Sequence, residues 1–151
     1  MTTTTTDILG SCNCGQHTLS IPSSAFASAT PALCHCTNCR KSAGSLFSMI
    51  LIIPASAYTL ISAEGTKPKE YVDSGCDSGK SIVRTFCEGC GCPIRSWGEG
   101  AEEVTYVRAG LFAPGQLPKP VIELYTKNFE SWWKPLEGAS GFAGMIGVKP
   151  E

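Results

Sequence analysis

Leu46-Phe47-Ser48-Met49-Ile50-Leu51-Ile52-Ile53, closed by Pro54, is an apolar run broken only by Ser48. A buried helix could carry these residues. The β-branched Ile50, Ile52 and Ile53 and the early proline favour a strand. Just downstream, residues 54–57 suit one helical turn, and residues 58–63 and 69–73 alternate as two strands of a meander. Residues 74–80 hold two glycines and two serines and are expected as an exposed loop. Residues 82–87, 93–97 and 104–109 supply three more short strands, with Glu102-Glu103 as a solvated turn before the last. Residues 114–120 are extended, 121–125 form a further strand, and 128–134 one or two helical turns. Upstream, residues 8–12 and 17–21 are strands around a Cys-Asn-Cys-Gly turn, and 23–31 are a small, polar connection. Short strands separated by Gly and Pro turns predict a mainly β, antiparallel domain.

Composition agrees and narrows the function. A chain of 151 residues suits one domain and can bury a core unaided. Charged residues are 17% and hydrophobic ones 42%, which argues against global disorder. The net charge of −1 gives no basic surface for tracking phosphates, so no nucleic acid is expected as partner. The start, Met1 to Asp7, has neither a basic n-region nor an apolar core, and Met49–Ile53 falls far short of a membrane span. The expected compartment is the cytoplasm, where thiols stay reduced.

Nine cysteines therefore ask for another explanation, and their odd number forbids complete internal pairing. Seven fall into three clusters: Cys12-x-Cys14, Cys34-x-Cys36-x-x-Cys39 and Cys87-x-x-Cys90. Such spacings suit a tetrahedral ion, whose sulfurs converge to about 2.3 Å from zinc. Cys87-Glu-Gly-Cys90-Gly91 has the form of a zinc knuckle, with Gly91 free to take the positive φ of a tight exit. Cys12 and Cys14 share one strand face, and Gly15 allows a bend. Cys12, Cys14, Cys87 and Cys90 are thus grouped as a closed structural site. Buried thiols, or a disulfide between Cys87 and Cys90, are the alternative.

Cys34, Cys36 and Cys39 supply three ligands with no evident fourth, which is the pattern of a catalytic metal. Cys76, Cys92 or His35 could instead close the site. Three thiolates on a dication leave about −1, which weakens activation of water but suits acceptance of an incoming thiol. The pattern argues against a zinc deaminase, because neither His17 nor His35 opens an H-x-E motif.

Three segments together carry a family resemblance: Gly10-Ser-Cys12-Asn-Cys14-Gly15, Cys34-His-Cys36-Thr-Asn-Cys39-Arg-Lys-Ser-Ala-Gly44 and Phe86-Cys87-Glu-Gly-Cys90-Gly91. The sequence resembles the glutathione-dependent formaldehyde-activating enzyme family, which includes the centromere protein V domain. The resemblance covers residues 8–136, leaving a disordered tail over 1–7 and a C-terminal extension over 137–151. It implies a β-tent fold of short antiparallel sheets with two zincs per chain. The first is held by Cys12, Cys14, Cys87 and Cys90, the second by Cys34, Cys36 and Cys39. It also implies a carbon–sulfur lyase that adds glutathione to formaldehyde, with a small molecule and glutathione as partners. Two alternatives are a glutathione-independent tailoring enzyme using the three-cysteine zinc as Lewis acid, and a non-catalytic zinc-stabilised binding module. No membrane partner is expected, and a homo-oligomer is left open. Cys92 stands where the family usually has a small hydroxyl residue.

Several further side chains have two readings. Arg40 and Lys41 could bind a carboxylate such as glutathione carries, or be a solvated turn. His35 could relay a proton to an alkoxide, or only shape its loop. Trp97, Trp132 and Trp133 could line a cleft or pack in the core, and Phe47 and Met49 could do the same beside the triplet.

Overall fold

The computed structural model describes residues 6–146. Two sheets organise the chain. The smaller is antiparallel and holds β1 (Asp7–Ser11), β2 (His17–Pro22) and β5 (Thr59–Ser62), in the order β1-β2-β5. The larger holds β3 (Thr30–Cys34), β4 (Ser48–Pro54), β6 (Lys69–Asp73), β7 (Ile82–Phe86), β8 (Pro93–Gly98), β9 (Ala101–Arg108), β10 (Ile122–Leu124) and β11 (Ser140–Phe142). Its order is β11-β10-β3-β4-β9-β8-β7-β6. The chain is mainly β, as the short runs of alternating residues predict.

The opening apolar run is β4, and its place in the sheet explains its composition. It lies between β3 and β9 and is buried on both faces. Leu51 and Ile53 face a core shared with Leu19, Ile21, Ile94, Val107 and Phe112. Ile50 faces the other way, with Ala32, Leu124 and Tyr125. A strand covered on both sides reads as a continuous apolar run rather than an alternation.

The structure corrects several local expectations. Residues 23–31 are not a plain connection: α1 (Ser23–Ala27) buries Phe26, and β3 starts at Thr30. The triplet segment contains α2 (Thr37–Ala43), which no apolar periodicity announces because none of its residues is buried. Its start is capped by the Cys36 sulfur, which accepts from the Cys39 N–H at 3.3 Å. Glu102 and Glu103 are exposed but lie within β9 rather than in a turn. Helical turns over 128–134 give way to a 3₁₀ turn at Thr126–Asn128. The sheets are not wholly antiparallel, since β10 pairs in parallel with β3 and β11.

Of the expected tail, residues 1–5 lie outside the described residues, and Asp7 begins β1, paired with Pro22. The expected C-terminal extension supplies β11, so it is tied into the larger sheet as far as Phe142. Residues 147–151 lie outside the described residues. No helix among the described residues is long and apolar enough to cross a membrane.

Candidate metal centres

The two groups of sulfurs assemble as the spacing predicts. Cys12, Cys14, Cys87 and Cys90 converge within 4.8 Å of one another, and so do Cys34, Cys36 and Cys39. In the first group the sulfurs of Cys12 and Cys14 are 3.6 Å apart, and those of Cys14 and Cys87 3.5 Å. A tetrahedral ion with bonds of about 2.3 Å has sulfur–sulfur edges of about 3.8 Å, so this donor set fits zinc. Two tight turns bring the pairs into place. The Gly15 N–H donates to Cys12 O at 3.0 Å, and the Gly91 N–H to Cys87 O at 2.8 Å. Gly15 (φ 77°) and Gly91 (φ 70°) both take the left-handed conformation that glycine adopts without strain. Cys12 and Cys87 are part of the main core, so this group fastens the smaller sheet to the end of β7.

The second group is built differently. Cys34 ends β3, Cys36 caps α2 and Cys39 lies in its first turn. Among the described residues no fourth histidine, cysteine or carboxylate joins the group. Cys92 is elsewhere, against the main core near the structural group. Cys76 lines a cavity together with the triplet but stays outside the cluster, its thiol donating to Asp73 O at 3.2 Å. The donor set therefore fits a zinc with three protein ligands and one open position. Hydrogen bonds from Cys34 and Cys36, aided by the charges of Arg108 and Arg84, hold the Cys39 thiol far below its ordinary range. The same hydrogen bonds and burial push the Cys34 and Cys36 thiols up, so the bias is one within the cluster.

The three sulfurs open into a cavity of about 70 Å³ on the second face of the larger sheet. Strand register sets its floor. Arg84, Ser96 and Tyr106 stand in one row across β7, β8 and β9, while Ile50 faces Arg108 across β4 and β9. Tyr125 closes one side. It is buried and left-handed, at φ 59°, an uncommon conformation for a bulky residue and one associated with functional sites. Burial, and then the neighbouring cysteines, raise its phenol pKa, so its hydroxyl stays protonated. Burial does the same to Tyr106.

Asp73 organises the rim. The Arg84 Nε donates to it at 2.7 Å, and the Asn38 amide donates to both its oxygens at 3.0 Å. Burial alone would raise the Asp73 carboxyl, but Arg84 and Asn38 outweigh it and hold it below the usual range. Arg84 also directs its Nη1 and Nη2 toward the sulfurs of Cys39 and Cys76, each at 4.0 Å.

Other candidate residues lie away from the cavity. His35 is fully buried, with Nε2 at 3.3 Å from Glu123 Oε1 and its ring against Phe47, Phe129 and Trp133. Burial lowers its pKa against the opposing pull of Glu123, so the neutral ring donates to that carboxylate. Glu123 also accepts from the Trp133 indole and the Leu136 N–H. His35 thus holds the C-terminal wrap and matches the loop-shaping alternative. Arg40 is engaged too, with Glu130 at 2.5 Å and Asn128 O at 3.1 Å, and Lys41 is exposed. Trp132 is 67% exposed, and Trp97 carries the Arg95 guanidinium over its ring at 4.0 Å. Met49 is half-buried and does not reach the cavity.

Arg84, Arg108, Tyr106 and Tyr125 were not anticipated from sequence. A polar signal was present for two of them: Tyr106 and Arg108 alternate on one face of a strand, where an inward arginine needs a reason.

A family model described as glutathione-dependent formaldehyde-activating enzyme matches residues 7–128. A crystal structure of a Rhodobacter sphaeroides protein is 18% identical and aligns over 71% of this chain and 89% of that one, with a TM-score of 0.52; the likeness is one of fold. None of the curated proteins matches the chain.

Proposed function

The chain belongs to the glutathione-dependent formaldehyde-activating enzyme family, and from that premise we propose that it is a zinc-dependent carbon–sulfur lyase-type enzyme that adds a thiol to a small carbonyl compound or removes one. The observation that carries this reading is the uneven division of the sulfurs. Four converge at one point, and three converge at another beside a cavity. Zinc held by Cys34, Cys36 and Cys39 would accept a substrate thiol at its fourth position and keep it as thiolate.

The chain's own residues account for the remaining chemistry. Addition forms one S–C bond, and the carbonyl π pair moves onto oxygen, which must then gain a proton. The proton lost by the thiol balances it. Tyr125 and Tyr106 border the cavity with phenols that stay protonated, so they can donate to the developing oxyanion. Leu124 and Ile50 keep the wall apolar, which strengthens such donors. All nine cysteines are free, and the reading needs them reduced, as they are in the cytoplasm.

The test is the Cys39→Ser variant. Turnover of a thiol and a small aldehyde is expected to be lost, while the far-UV spectrum and the zinc of the four-cysteine site are kept. Full turnover in that variant contradicts the catalytic reading.

A glutathione-independent version is favoured by one observation, the size of the cavity. One water needs about 10–15 Å³ on this measure, so about 70 Å³ takes only a handful of heavy atoms. A tripeptide thiol could insert its sulfur end and little more. Whether turnover depends on added glutathione separates the two versions.

A further inference from the structure

Arg108 is an unusual residue for a strand end. It is 5% exposed, and among the described residues it has no carboxylate partner. One of its nitrogens, Nη1, donates to the Ser48 hydroxyl. Its Nε is buried and without an acceptor among the described residues. Arg84, by contrast, has its Nε satisfied by Asp73. Both arginines line the three-cysteine cavity. They also border a second groove with Ser42 and Tyr71, so they form part of the wall between the two spaces.

Charge and hydrogen bonding separate here. Three thiolates around a dication carry about −1, enough to offset one guanidinium by charge alone. Sulfur is a weak acceptor, however, and no oxygen of the described residues reaches Arg108 Nε. A buried donor left unmade is costly, and such groups ask for an explanation. The fork of a guanidinium matches a carboxylate in two parallel hydrogen bonds. The cavity is also small enough to exclude most acids, as its volume shows.

We propose that Arg108, with Arg84 beside it, forms an anion subsite in the wall of the three-cysteine cavity, and that the small substrate taken there carries a carboxylate. This deepens the proposed function and rests on it. The substrate class is a short thiol acid or oxo acid, with its reacting atom toward Cys34, Cys36 and Cys39 and its carboxylate on Arg108. Arg108 is then the residue that sets specificity.

Isothermal titration of the zinc-loaded protein tests this with three probes. Mercaptoacetate carries thiol and carboxylate, 2-mercaptoethanol replaces the carboxylate by an alcohol, and glycolate replaces the thiol. Mercaptoacetate is expected to bind about 10- to 100-fold tighter than mercaptoethanol, the scale of a charge-assisted hydrogen bond. In Arg108→Lys and Arg108→Gln that advantage should shrink to less than about threefold. Equal binding of the two thiols by the unaltered protein overturns the subsite and leaves the thiol reading standing. That comparison needs no variant to fold. A preference that survives both substitutions also overturns it, by placing the carboxylate elsewhere. If mercaptoethanol does not bind, while mercaptoacetate and glycolate bind equally well in an Arg108-dependent way, the subsite stands and the thiol reading falls. If none of the three binds, both are wrong.

Discussion

Tyr125 is held where its backbone is least comfortable. Left-handed φ at a bulky residue costs about 1–3 kcal/mol, and Tyr125, just past the end of β10, lines the cavity. If the hydroxyl donates to the developing oxyanion, Tyr125→Phe should lower turnover about 10²-fold, the scale of one lost donor. Zinc content should stay unchanged. Steady-state kinetics beside a metal assay checks this, and unaltered turnover removes Tyr125 from the mechanism. Asp73 makes a different kind of prediction. Its folded carboxyl lies below its unfolded value of about 3.9, so its contribution is present above that pH and is lost as pH falls through the folded value. Asp73→Asn should therefore be less stable than the parent at neutral pH, and the gap between them should narrow below about pH 4. Urea denaturation of both proteins across that range reads it. A gap that is constant with pH would mean that Arg84 and Asn38 do not stabilise the ionised form.

At the scale of elements, β4 and α2 show what a sequence discloses and what it hides. β4 was legible because an unbroken apolar run has few homes, and burial on both faces is one of them. Leu51 is fully buried in the main core. Leu51→Ala should cost about 2–5 kcal/mol, measured as a shift in denaturant midpoint with its slope unchanged. A cost below about 1 kcal/mol would place the strand at the periphery. α2 was not legible. It is seven residues long, buries none of them, and is capped by a cysteine sulfur rather than by a serine or aspartate oxygen. The two sulfur clusters were legible because chelation imposes local spacing, which a chain writes as C-x-C and C-x-x-C. The groups around the triplet were not, because they meet through register. Arg84 and Tyr106 are brought into one row only by the pairing of β7, β8 and β9. Arg40 and His35 show the converse. Neighbours of the triplet cysteines in sequence, they turn away to hold Glu130 and Glu123.

For the whole molecule, the two groups of sulfurs have different surroundings. The four-cysteine group joins the two sheets and is partly embedded in the main core. Structural zinc contributes about 10–16 kcal/mol, against about 5–15 kcal/mol for the stability of a whole domain. Cys87→Ser should therefore abolish cooperative folding, whereas Cys39→Ser leaves a cooperative transition. Calorimetry of the two variants distinguishes them, and equal loss in both would make the triplet structural as well. The most direct measurement is zinc X-ray absorption on protein loaded with two zincs, before and after one equivalent of a small thiol. Seven cysteine sulfurs shared between the two ions, with oxygen or nitrogen completing the coordination, are predicted at the start. Eight sulfurs are predicted once the thiol is added. Eight sulfurs before any thiol is added, with Cys76 closing the second site, would contradict the account, and so would seven that the thiol leaves unchanged.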